Sequence, residues 1–146
     1  MSAIPCPQCG AIFLPDDASC ASRFEVLLGL DLSRQEPWGS RHGQAFAAFA
    51  LQHPASYPQS LDHAWAALYQ IYSAHAHPAY VFNTLRALGN SNLPSAWAVP
   101  ARPIVRQSVP TVTLADFAAD IDPVQLDAWC HATLVSWGLN LAQRPA

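Results

Sequence analysis

The sequence predicts a mostly α-helical single domain of five or six helices. Three observations carry that prediction. Apolar residues recur at the i, i+3, i+4 spacing of a buried helical stripe in several segments. Helix-start signals, a capping residue followed by proline or a capping partner, stand ahead of the later segments. No segment reads as a strand. With 146 residues, 51% of them hydrophobic, the chain supports one core and is too short for two.

Residues 1–19 hold Pro5, Pro7, Gly10 and Pro15 with no helical period, and they read as a metal-binding knuckle. From Cys20 to Leu32 a helix is expected, with Phe24, Leu27 and Leu28 as its stripe. Ser33 to Ser40, containing Pro37 and Gly39, breaks it. The second helix, Arg41 to Gln52, is rich in alanine, the strongest helix former, and aligns His42, Phe46, Phe49 and His53 in one sector. Pro54 and Pro58 end it. The third helix, Ser60 to Ala74, has Ser60 as its expected N-cap, Asp62 in its first turn and an apolar face of Leu61, Trp65, Leu68, Tyr69 and Tyr72. A shorter helix follows from Ala79 to Leu88, stopped by Gly89 and Asn90.

Residues 91–112 carry Pro94, Pro100, Pro103 and Pro110, a spacing that excludes both a helix and a central strand. The segment reads as an extended strap over the surface, and a structureless stretch of that length in a small domain is often functional. Thr113-Leu114-Ala115-Asp116 forms a capping motif for a brief helix through Asp120. Asp122-Pro123-Val124-Gln125 then sets an N-cap, an N1 proline and an N3 glutamine ahead of the last helix. That helix buries Leu126, Cys130, Leu134, Trp137 and Leu141 by spacing.

Composition narrows the function. Charged residues make up only 12% of the chain, against about 25% in ordinary soluble domains. The net charge is −3, every basic residue is arginine, and a basic footprint for nucleic acid is lacking. No apolar run approaches the roughly 18 residues of a membrane span. Neither a membrane nor a nucleic-acid partner is therefore expected, whereas low charge suits an apolar surface that meets a protein partner or a second copy of the chain. The cysteine spacing is unlike that of a secreted disulfide scaffold and no signal peptide is recognisable, so a cytoplasmic protein with reduced thiols is expected.

Three of the four cysteines, Cys6, Cys9 and Cys20, fall within the first twenty residues. Cys6-Pro7-Gln8-Cys9-Gly10 is a CxxC with a following glycine, a turn that aims two thiolates at one ion. Zinc takes four soft or borderline ligands in a tetrahedron. Cys20, at a helix N-terminus that favours thiolate, is the natural third. The fourth follows from geometry. If the first two helices form an antiparallel hairpin, the start of the first lies beside the end of the second, where His53 stands. His42 opens that second helix, about 16 Å away along its axis. His53 therefore ranks first, His42 second, and Cys130 or His131 after them. A redox dithiol would sit in a βαβ pattern that this sequence lacks. Unmetallated core cysteines are the bland alternative, and Cys130 on an apolar helical face reads as core. A closed, thiolate-rich site would be structural rather than catalytic.

Across nearly its whole length the chain resembles a bacterial family of unknown function. The residues that carry the resemblance are Cys6 to Gly10, Cys20 with Phe24, His42, Gln52-His53-Pro54, Thr113 to Asp116, and Trp129 with Trp137. The resemblance implies a cysteine and histidine set suited to metal binding and brings no activity with it. The chain departs from the pattern at Ala47 and Ala67, where relatives carry an acid and a histidine.

The other candidates have plainer readings. His42 could act as an acid or base, or be satisfied by a backbone carbonyl at a helix junction. His75 and His77 are expected to cap the exposed carbonyls of the third helix, and His63 falls off the apolar face toward solvent. Trp65, Tyr69, Tyr72, Trp129 and Trp137 read as core. Trp38 and Trp97, in loops, are the aromatics expected to meet a ligand or a protein. Two functions compete. One is a binding or accessory subunit with a structural Zn2+ on Cys6, Cys9, Cys20 and His53. The other is a small metal-dependent enzyme with its site near His42 and the proline-rich strap.

Overall fold

Five α-helices and two 3-10 turns form in the order the sequence predicts, and no strand occurs among the described residues. The computed structural model describes residues 4–13, 19–32, 41–89, 92–117 and 122–139. The expectations at Trp38, Asn90, Asp120 and Leu141, and residues 14–18 of the knuckle, lie outside these. The helices are α1 (Cys20–Leu32), α2 (His42–Gln52), α3 (Leu61–Tyr72), α4 (Pro78–Leu88) and α5 (Pro123–Ser136). None of the described helices is long and apolar enough to cross a membrane.

Local chemistry sets most of the boundaries. Ser19 caps α1 reciprocally with Ser22: the Ser22 amide donates to Ser19 Oγ at 3.1 Å and the Ser19 amide to Ser22 Oγ at 2.8 Å. Asp122 and Gln125 form the expected capping box at α5, with Pro123 at the first helical position. Thr113 and Asp116 form another over the 3-10 turn Leu114–Asp116. Two capping expectations change. Ser60 makes no side-chain cap bond at α3. His77 does not complement the carbonyls of α3 but opens α4: its Nδ1 accepts from the Ala79 amide at 3.1 Å, which needs a ring nitrogen with a free lone pair.

The core is built around α2, which buries Gln44, Ala45 and every residue from Ala47 to Gln52. Four alanines on this helix let α1, α3, α4 and α5 all reach it. Phe24 of α1 stacks on Phe49 of α2, ring centroids 4.0 Å apart at 8°. On the far side, Leu126, Trp129, Leu134 and Trp137 of the α5 region fill the space between α2 and the strap. Trp137 Nε1 donates to the Leu51 carbonyl at 2.9 Å.

The strap is extended as predicted, apart from a 3-10 turn at Ser95–Trp97. A segment with this many prolines satisfies few of its own carbonyls through backbone bonds, and side chains from the helices supply further donors. Gln70 Nε2 donates to the Trp97 carbonyl at 2.6 Å, Trp65 Nε1 to Pro100 at 2.9 Å and Gln52 Nε2 to Val112 at 2.8 Å. These ties correct the expectation for Trp97. Its ring is 5% exposed and closes a second apolar cluster with Ala66, Ala67 and Val81, so it plugs the fold rather than meeting a partner.

Gln70→Leu tests the role of these ties. The change leaves the buried Trp97 carbonyl without a donor, which costs about 1–3 kcal/mol. Thermal unfolding followed by circular dichroism should show a melting temperature lowered by several degrees, with the folded helical signal unchanged.

Candidate metal centre

Backbone turns build the knuckle before any ligand chemistry enters. The Cys6 amide donates to the Ala11 carbonyl at 2.8 Å and the Gly10 amide to the Cys6 carbonyl at 2.9 Å, folding residues 6–11 into a tight loop. Gly10 sits at φ +79°, and a Cβ there would also stand 3.0 Å from Val109 of the strap. The loop presents the Cys6 and Cys9 thiols toward the start of α1 and the end of α2.

Cys6, Cys9, Cys20 and His53 bring one ligand atom each to within 4.8 Å of one another, close enough to bind a single metal ion. Cys9 and Cys20 Sγ are 3.5 Å apart. In a tetrahedral zinc site with Zn–S bonds of about 2.3 Å, sulfurs lie about 3.8 Å apart, so the observed spread needs little adjustment. No disulfide joins these cysteines. Cys9, Cys20 and His53 are buried and Cys6 is half-buried.

His53 is held in a ligating pose. Its Nδ1 lies 2.9 Å from the Phe49 carbonyl, and because a carbonyl only accepts, Nδ1 carries the proton. Nε2 is then left with a free lone pair, buried and with no hydrogen-bond partner. A metal-bound histidine characteristically donates its other ring N–H to a carbonyl in this way. Phe49 also packs its ring against the imidazole, centroids 4.3 Å apart.

The thiols divide their proton unequally. The contact with Cys20 holds the Cys9 thiol well below its ordinary range against the opposing effect of burial, with further lowering from the neighbouring His53 imidazole and the Ala11 backbone. Cys20 is pushed upward, first by that same contact with Cys9 and then by burial. Binding a cation here requires the thiols to give up their protons, so metal binding at this site is coupled to proton release.

One contributor escaped the sequence. Gln8, between the two knuckle cysteines, grips the turn after α2 with both ends of its amide. Its Nε2 donates to Ser56 Oγ at 3.0 Å and its Oε1 accepts from the Ala55 amide at 3.0 Å. It ties the loop bearing Cys6 and Cys9 to the segment bearing His53. The only sequence signal was an amide side chain inside the CxxC, which has no unique meaning.

The other candidate ligands stand apart from this cluster. His42 is exposed at the opposite end of α2. Cys130 is buried against the Gln44 carbonyl, and burial pushes its thiol up to about 12, the mark of an inert core cysteine. His131 is exposed. Near Cys130, Tyr72 donates to Asp127 at 2.7 Å and accepts from Gln44 Nε2 at 2.7 Å, and Arg41 pairs with Asp127 at 3.0 Å. This network links α2, α3 and α5.

A second feature is a groove of about 980 Å³ between α2, α3, α4 and the strap. His42 and Phe46 line it, as does His63, which is half-buried rather than solvated. Ala47 and Ala67 line it too. None of the four metal-site residues does.

The Gln8 grip is testable by amide exchange. Gln8→Ala should speed exchange at the Ala55 amide and lower the melting temperature slightly, since it removes two bonds worth about 1 kcal/mol each. Gln8→Glu keeps the acceptor oxygen and should preserve protection at Ala55.

Neither the curated proteins nor the solved structures hold a match to this chain. Cys6 to Gly10, the QHP segment and the capped α5 all fall within residues 4–138, which match one family's sequence model. The chain belongs to the family of unknown function DUF5946.

Proposed function

We infer that the protein is a zinc-binding helical domain in which Cys6, Cys9, Cys20 and His53 hold one structural Zn2+, and that it works as a binding or accessory subunit. The observation that carries this reading is the convergence of three thiols and one imidazole from three separate segments within 4.8 Å. Three sulfurs and one nitrogen suit zinc among common metals. Four protein ligands leave no position for substrate or water, which favours a structural ion over a catalytic one. Because thiolates are required, a reducing, cytoplasmic setting suits the site.

A structural role also accounts for how the knuckle is ordered. Fixing each residue's backbone costs about 1–2 kcal/mol, and this segment offers little apolar surface in return: Ile4 and Ile12 are both exposed. An ion bound across the knuckle and the ends of α1 and α2 supplies that ordering. The accessory reading draws on the strap, where Ile104, Val105 and Val109 are exposed while the backbone around them is tied down. Such a surface suits a protein partner or a second copy of the chain. A metal-dependent enzyme centred on His42 has less support, since the four donors gather about 16 Å along α2 from it.

Elemental analysis of protein never exposed to chelator should find one zinc per chain. Well under half an equivalent would overturn the reading. His53→Ala should reduce zinc content and lower the melting temperature by several degrees, whereas His42→Ala should leave zinc in place.

Chelation gives a separate check on where the ion acts. It should raise hydrogen exchange in residues 4–13 and at the ends of α1 and α2 that meet them, while α3, α4 and α5 stay protected. Uniform loss of protection would mean that the ion supports the whole fold, and no change would mean that it supports none of it.

A further inference from the structure

The groove between α2, α3, α4 and the strap has features of a site that are independent of the metal centre. Its volume, about 980 Å³, is that of a small-molecule pocket. Its walls are set without an occupant. Trp65 fixes the strap through Pro100, and Arg102 on the strap pairs with Asp62 of α3 at 2.9 Å. Arg102 is further held by its own bond to the Pro103 carbonyl and by the Trp137 ring, 5.3 Å from the guanidinium. On the opposite side, Gly43 lets the Phe82 ring lie against α2: a Cβ at Gly43 would come within 2.6 Å of it.

The floor is hydrocarbon, formed by Ala47, Ala64 and Ala67, all buried. Phe46 and Phe82 supply aromatic walls. The charge of the lining runs opposite to that of the chain. The whole protein carries −3, yet among the described residues the groove is lined by two arginines, Arg86 and Arg102, against one acid, Asp62. That acid is already paired with Arg102. Arg86 has no ion-pair or hydrogen-bond partner among the described residues, so one full positive charge on the wall is uncompensated.

We propose that this groove binds a small amphiphilic organic anion, a carboxylate carried on a ring-sized apolar body. The body lies on the alanine floor between Phe46 and Phe82, and the carboxylate meets Arg86. Arginine suits this role because its planar guanidinium can donate two parallel bonds to a carboxylate. The apolar floor supplies affinity and the cation supplies orientation, the usual division in small-molecule pockets.

Calorimetric titration of the full-length, metal-replete protein with 2-naphthoate and its neutral isostere 2-naphthamide tests the proposal. Naphthoate should bind about tenfold or more tightly than the amide, the difference one charge-assisted contact makes. Arg86→Gln, at an exposed position where folding is not at stake, should remove that preference, bringing the two affinities together. Nuclear magnetic resonance locates the ligand: the Trp65 indole N–H, in the groove wall, should shift on titration more than that of Trp129. Equal affinity for acid and amide, an unaltered preference in Arg86→Gln, or shifts centred away from Trp65 would each overturn it, as would no binding of naphthoate at millimolar concentration.

Discussion

The rest of the structure depends on how closely other elements can approach α2. This helix is only eleven residues long, and eight of them are buried. Alanine at positions 45, 47, 48 and 50 keeps its radius small, so four helices pack on it at once. A larger residue at 45, 48 or 50, which do not face the groove, would have to displace a neighbour, because interiors are packed too densely to absorb added volume. The two ends of α2 then carry different chemistry. Its C-terminal end places His53 among the three thiols, and its N-terminal end places His42, Gly43 and Phe46 in the groove.

The strap obeys a complementary constraint. Prolines take it out of any regular hydrogen-bonded element, so its carbonyls need donors from elsewhere. Gln52, Trp65 and Gln70 supply them from α2 and α3, and each is buried. The strap is consequently part of the rigid frame. Its backbone polar groups are anchored inward while aliphatic side chains such as Ile104, 92% exposed, point outward.

The residues that were legible in the sequence are those whose signal is local. Asp122, Pro123 and Gln125 announced α5 because capping chemistry lies within four residues. Cys6, Cys9 and Cys20 announced themselves by spacing. His53 needed one further step, the antiparallel placement of α1 and α2, and the stacked Phe24 and Phe49 rings show that these helices meet at the register the step assumed. The residues that were not legible act at long range. Gln8 reaches Ser56, 48 positions away, and Gln70 reaches Trp97, 27 positions away. Trp97 misled for the same reason: loop position suggested exposure, while a cavity between α3 and α4 that no local pattern describes took the ring inside. His77 shows the opposite ambiguity, since a residue between two helices can end one or start the next, and Pro78 at the first position of α4 decides it.

The alanines at 47 and 67 connect the packing of the core to the chemistry of the groove. Both are buried, and both face the same groove. Polar side chains buried there would need partners, because an unsatisfied buried group costs about 1–3 kcal/mol. With methyl groups at 47 and 67 the floor needs no such pairing, and the polar lining of the groove comes from His42, Gln59, Ser60, Asp62, His63, Arg86, Asn92 and Arg102. The occupant proposed above would accordingly meet methyl groups below and charged or polar side chains at the side.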